Sequence, residues 1–159
     1  YVQSGKTANY SATIAKAADR GYKLFIILSG MHTGLRRQTQ RRMTKDLVHL
    51  NPENWVELTT EYNDIGDPGG TAWLMQNDKV GIAVVKKNAS RLRRLNKWLK
   101  IAEENNHLQK APILIIDDEC DHDYVGIMLK PRPSRPQTVL CILARRQPSQ
   151  VCLRNIYGR

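Results

Sequence analysis

Apolar residues come in short blocks separated by polar stretches. Three blocks are nearly unbroken: residues 23–29 (KLFIILS), 80–85 (VGIAVV) and 113–116 (ILII). Runs of that length and composition predict strands buried on both faces. Residues 55–60 (WVELTT) alternate instead and predict a further strand. The stretches between them read as helices. Residues 7–19 (TANYSATIAKAAD) are rich in alanine and lack Gly and Pro, and Gly21 is a natural stop. Residues 35–50 predict a helix crowded with Arg and Gln, ended by Asn51 and Pro52. Residues 89–104 carry Leu92, Leu95, Leu99 and Ala102 on one stripe, with Arg93, Arg94, Lys97 and Lys100 largely away from it. Residues 30–34 (GMHTG) and 63–71 (NDIGDPGGT) are loop-forming.

Apolar strands alternating with helices imply an α/β fold, a parallel sheet between two helical layers. Ligands of such sheets bind outside the carboxyl ends of the strands. The pattern stops after Asp123. Residues 130–136 (KPRPSRP) hold three prolines, and neither VLCILARR nor the residues after it have a convincing place in the sheet. The expected organisation is therefore a lobe over residues 1–123 and a distinct tail over 124–159.

Length and composition narrow the class. A chain of 159 residues can bury the core of one domain. With 41% hydrophobic and 25% charged residues it reads as folded and soluble. The longest aliphatic and aromatic run, residues 24–28, is far too short to span a bilayer, so no membrane partner is expected. Cys120, Cys141 and Cys152 form no CxxC pair, which suggests neither a disulfide framework nor a zinc site and makes the cytoplasm the default location. The net charge of +10 suggests nucleic acid, but it is unevenly spread. Residues 124–159 hold seven Lys and Arg and no acid; the rest holds 18 basic against 15 acidic residues.

Two motifs carry chemistry. VQSGKT, at residues 2–7, matches the end of the phosphate-binding loop GxxxxGK[ST]. The loop's leading glycine would stand just before Tyr1, so the chain is expected to begin inside the motif. Backbone N–H groups around Gln3, Ser4, Gly5 and Lys6 would face phosphates, helped by the start of the following helix. Lys6 would reach the β- and γ-phosphates and the Thr7 hydroxyl would ligate Mg²⁺. The plainer reading is an ordinary helix start. The second motif is ILIIDDECD, residues 113–121. Acids at a strand's carboxyl end stand where a Mg²⁺–nucleotide needs them. Asp118 would hold Mg²⁺ and Glu119 would orient and deprotonate water, with Asp117 a helper or structural cap. The plainer reading here is an acidic turn. In that order, each beside a strand–helix junction, the two motifs together predict a nucleoside-triphosphatase core that uses ATP and Mg²⁺.

DECD, residues 118–121, is similar to the DEAD/DEAH-type box of superfamily-two helicases and translocases. VQSGKTANY together with LRRQTQRR, AVVKKN and LIIDDECD resembles the Z-one domain family. These are superfamily-two-type P-loop ATPases, often labelled endonucleases, in bacterial restriction and phage-defence contexts. The resemblance covers roughly residues 1–122. It implies the first RecA-like lobe, incomplete at both ends, and ATP hydrolysis coupled to translocation or remodelling of DNA. A second RecA-like lobe and defence-system subunits would be its partners. By position it makes Lys6 and Thr7 nucleotide ligands, Asp118 the magnesium acid and Glu119 the catalytic acid. Residues 29–40 occupy the place of a motif that grips the nucleic-acid backbone. There Thr33, Arg36 and Arg37 could contact phosphates, as could Lys86 and Lys87 after their strand. Equally, these arginines could solvate a helix face.

Other features of the family are missing. No Ser/Thr-Ala-Thr motif follows Asp121, and Ser11-Ala12-Thr13 lies on the helix after the phosphate loop, where it is a decoy. The tail is either a shifted reading frame or divergent terminus, or a genuine basic arm that binds phosphates. No PD-(D/E)xK pattern is present, and His32, His49, His107 and His122 form no ligand cluster, so nuclease activity finds no support in this segment. Poor ATP turnover is expected of it alone. Two alternatives stay open: an ATP-binding scaffold without turnover, and another P-loop NTPase such as a kinase or signalling protein.

Overall fold

A computed structural model of the chain describes residues 4–65, 79–105, 112–118, 139–143 and 152–155. At residues 4–10, 103, 139–143 and 152–155 the description is of the backbone. The elements run α1 (Ser4–Asp19), β1 (Leu24–Ser29), α2 (Thr33–Met43, extended by a π-helical turn at Thr44–Val48), β2 (Trp55–Glu57), β3 (Val80–Lys86), α3 (Ala89–Glu104), β4 (Ile113–Asp117), β5 (Val139–Leu143) and β6 (Cys152–Asn155). The strands form one six-stranded sheet in the order β2-β3-β1-β4-β5-β6. Every neighbouring pair is parallel except β5 and β6.

The central strands are buried on both faces because their residues alternate between two apolar layers. Leu24, Ile26 and Leu28 of β1 pack with Ala83, Val85, Ile113 and Ile115 against Leu92, Leu95, Trp98 and Ala102 of α3. Phe25 and Ile27 pack with Ile82, Val84, Leu114 and Ile116 against Ile14 of α1 and Met43 and Leu47 of the α2 segment. Helices therefore cover both faces of the sheet. Trp98, absent from the expected leucine stripe, is among the largest fully buried side chains, while Leu99 is only partly buried.

α1 ends in a Schellman cap. Gly21 has φ +91°, its N–H donates to Ala18 O at 2.9 Å, and Tyr22 N–H donates to Ala17 O at 3.1 Å. The turn sends the chain straight into β1, so α1 lies antiparallel to it. α3 begins at an Asn88 cap, whose Oδ1 accepts from Arg91 N–H at 2.9 Å.

Four sequence expectations change. α2 starts at Thr33, two residues ahead of the expected boundary, and α1 starts at Ser4. β2 ends at Glu57, not at residue 60. Past that point side chains take over the bonding edge of β3: Thr59 Oγ1 accepts from Val84 N–H at 2.7 Å and Arg36 Nε donates to Val84 O at 3.1 Å. A polar substitute for the ladder keeps those backbone groups satisfied without a strand. Finally, residues 139–143 do have a place in the sheet. They pair in parallel with β4, Ile115 facing Cys141, and β6 closes that side antiparallel to β5.

Candidate functional site

The site lies where the parallel strands end. After β1 the chain turns to α2 on one face; after β3 it turns to α3 on the other. Ligands of parallel sheets bind at such a divergence, here outside the carboxyl ends of β1 and β3. Backbone bonds fix this edge. Ser29 O accepts from Lys87 N–H at 2.9 Å, and Leu28 O accepts from Asp118 N–H at 3.0 Å. The ends of β3 and β4 are thereby locked to β1 between them.

α1 brings its first turn to the same edge. Its 16 residues are about 24 Å long at 1.5 Å per residue. β1 has six residues, about 20 Å at 3.3 Å each. Running antiparallel to β1, α1 directs Ser4, Gly5, Lys6 and Thr7 toward the carboxyl ends of the strands. Gln3 and Glu119 lie outside the described residues.

Asp117 and Asp118 are adjacent but differ sharply. Asp117 is 0% exposed and its carboxylate receives Lys87 Nζ at 2.8 and 3.1 Å. The Lys87 side chain is 12% exposed. β3 and β4 flank β1, so this ammonium bridges two strand spacings, about 10 Å between backbones. Only a long flexible side chain manages that span. Asp118 is half-buried at the rim. Of the helper and cap roles expected of Asp117, the burial fits the structural one, and Lys87 is a partner that helps the carboxylate to be buried. Lys87, a candidate nucleic-acid contact by sequence, turns its ammonium inward to Asp117 in this structure.

Arg36, another candidate contact, also faces inward. It is 2% exposed. Besides Val84 O, its guanidinium donates to Glu61 O at 3.1 Å, Asn63 O at 2.9 Å and Thr60 O. Asp64 Oδ2 lies 3.4 Å from Nε. Burial pulls its pKa below the ordinary arginine value, and Asp64 opposes that fall. A rigid fork with five donors suits this job: it ties a loop of carbonyls to the sheet. A helix rich in Arg and Gln can thus face inward, and Gln40 joins the network by accepting from Thr59 Oγ1 at 2.7 Å.

Asp64 was not singled out by the sequence. Its side chain is only 6% exposed, and its Oδ2 accepts from Lys86 N–H at 3.1 Å while Arg91 Nε stands 3.9 Å away. Nothing in NDIGDPGGT distinguishes this aspartate from the usual turn-forming kind. The remaining candidates are exposed or half-exposed. Lys86 Nζ donates to Thr33 Oγ1 at 2.6 Å across the β1–α2 loop. Arg37 is exposed and stacks on Tyr62, 5.6 Å from the ring centre.

Among the described residues no three His, Cys, Asp or Glu side chains come together as a metal cluster. Mg²⁺ bound with a nucleotide needs no such cluster, since it keeps waters and phosphate oxygens and takes one or two protein oxygens. Asp118, half-buried at the rim, is the acid whose position fits that modest demand, whereas the Asp117 carboxylate faces Lys87 inside the sheet. Among the described residues no helix is long and apolar enough to cross a membrane. No family model, curated protein or solved structure matches the chain.

Proposed function

We propose that this chain binds Mg²⁺–ATP at the carboxyl edge of its sheet and hydrolyses it to drive work on DNA. One observation carries the reading. α1 opens at Ser4-Gly5-Lys6-Thr7 and β4 ends at Asp117, with Asp118 next, and a helix running back along β1 would carry that phosphate-loop-like sequence to the edge where the acids stand. N–H groups of the first helical turn have no partners within the helix and attract phosphate oxygens. Lys6 neutralises the β- and γ-phosphates, and Gly5 lets the backbone approach them. Thr7 and Asp118 hold Mg²⁺, which supplies charge neutralisation at the phosphate oxygens. Glu119, next along the chain, orients the attacking water and takes its proton.

The resemblance to the Z-one domain family adds the DNA and defence-system setting, which the geometry alone does not specify.

Equilibrium titration with Mg²⁺–ATP tests the binding half. Lys6→Ala should weaken it by roughly 10- to 100-fold, the loss of a charge-assisted contact. Unchanged affinity in that variant sinks the reading. Glu119→Gln should bind like wild type and lose single-turnover hydrolysis. Hydrolysis at the wild-type rate would remove Glu119 from the chemistry and leave a nucleotide-binding module.

A further inference from the structure

The loops and helix beside the carboxyl edge carry a feature that the proposed nucleotide site does not use. Tyr62 is 76% exposed, in the turn that Arg36 holds by its carbonyls. Met31, in the β1–α2 loop, is 69% exposed. Large side chains this open at a rigidly tethered loop have an available contact face. One face of the Tyr62 ring is covered by the Arg37 guanidinium. Arg37 itself belongs to a row. Thr33, Arg37, Arg41 and Lys45 recur every four residues, and all four are exposed. Four residues of helix rise about 6 Å, a step similar to that between successive phosphates of an extended strand. α2 contains no acid between Thr33 and Met43. Among the described residues, the carboxylate paired with the row is that of Glu61, on Arg41. Lys86 adds a further ammonium beside Thr33.

We infer that this rim is a binding surface for an unpaired nucleic-acid strand, with a base stacked on Tyr62 and the phosphates following Arg37, Arg41 and Lys45 along α2. The inference rests on the nucleic-acid half of the proposed function and makes it specific. A duplex keeps its base faces within the stack, so a protruding tyrosine backed by an arginine is of use only to a base that is free. A basic helix alone would accept either form. α3 supplies the comparison: Arg93, Arg94 and Lys97 are just as exposed on the opposite layer, yet the only large exposed apolar side chains described are Met31, Leu50 and Tyr62, none of them on α3.

Fluorescence anisotropy of the whole chain with a labelled single-stranded DNA of about 12 nucleotides tests this. Tyr62→Ala should weaken binding roughly tenfold while Tyr62→Phe keeps it, because stacking needs the ring and not the hydroxyl. Arg37→Ala should weaken it and reduce the salt slope by about one. The double change Arg93→Gln and Lys97→Gln should have a clearly smaller effect, although it removes more charge. Duplex DNA of the same length should bind less tightly and ignore Tyr62→Ala. Tyr62 is exposed, so its variants should fold, which circular dichroism checks. The inference is overturned by equal affinity in wild type and Tyr62→Ala, by an α3 variant as damaging as Arg37→Ala, or by no binding of the oligonucleotide. Parallel ATP titrations separate the two readings. Loss of ATP binding with Tyr62-dependent strand binding intact would remove only the nucleotide proposal; the reverse pattern would remove only this one.

Discussion

Lys87 and Asp117 set the electrostatics of the sheet edge. A carboxylate with no solvent exposure needs compensation, and an ammonium sits 2.8 Å from it. Breaking such a pair strands a charge; replacing both partners need not. Lys87→Met should therefore lower unfolding free energy by about 3 kcal/mol, and adding Asp117→Leu should recover much of the loss. Urea denaturation of the two variants measures it. If the double variant is no more stable than the single one, the carboxylate is not the source of the cost. Both residues were visible in the sequence, Lys87 as a basic strand end and Asp117 as the first of three consecutive acids. Their pairing was not, because it depends on β3 and β4 lying on opposite sides of β1. Arg36 shows the same limit. Its neighbour Arg37 has identical chemistry and lies one step along the helix, yet one is buried in carbonyls and the other faces solvent. Composition cannot separate them; only the early end of β2, which leaves β3 in need of partners, does.

The elements themselves were largely legible. The apolar runs at β1, β3 and β4 and the stripe of α3 are long, regular signals, and α3 spans the expected residues, Ala89–Glu104. Errors fell at ends, where a strand stops when its neighbour no longer offers a ladder. Terminal signals were readable when they were stereochemical. Gly21 stops α1 because its φ of +91° suits glycine better than any residue with a side chain. A Cβ placed there would meet nothing within 4 Å, so the cost of substitution is purely a backbone one. Gly21→Ala should destabilise by about 1–2 kcal/mol, and Gly21→Asn by less, since asparagine tolerates left-handed backbone. Thermal unfolding of the two variants would reveal the order. Equal stability of all three proteins would mean that the turn relaxes to another conformation. The consequence reaches the site: this turn sets the direction in which α1 carries Lys6 and Thr7.

At the scale of the whole molecule, the open question in the sequence was whether residues 124–159 belong to the fold. Proline, absent acids and the loss of strand–helix alternation all pointed to a separate tail. The pairing of β5 with β4 over Ile113–Asp117 argues the opposite. β4 carries Asp117 and leads to Asp118, so the strand beside it supports the site. Without β5, one edge of β4 would present free N–H and C=O groups flanked by Ile113, Leu114, Ile115 and Ile116. An apolar edge strand of that kind invites pairing with another chain. A variant ending at residue 123 should therefore associate at concentrations where the full chain does not, and unfold at lower urea. Light scattering and denaturation midpoints read the two effects. A detached basic arm predicts something else: the truncated protein would stay monomeric and keep its midpoint, losing only salt-sensitive affinity for polyanions. The two outcomes differ in kind, because an arm contributes charge whereas a strand contributes hydrogen bonds to a neighbour. If association and destabilisation appear together, β5 and β6, and Arg154 with them, belong to the sheet that carries Asp117.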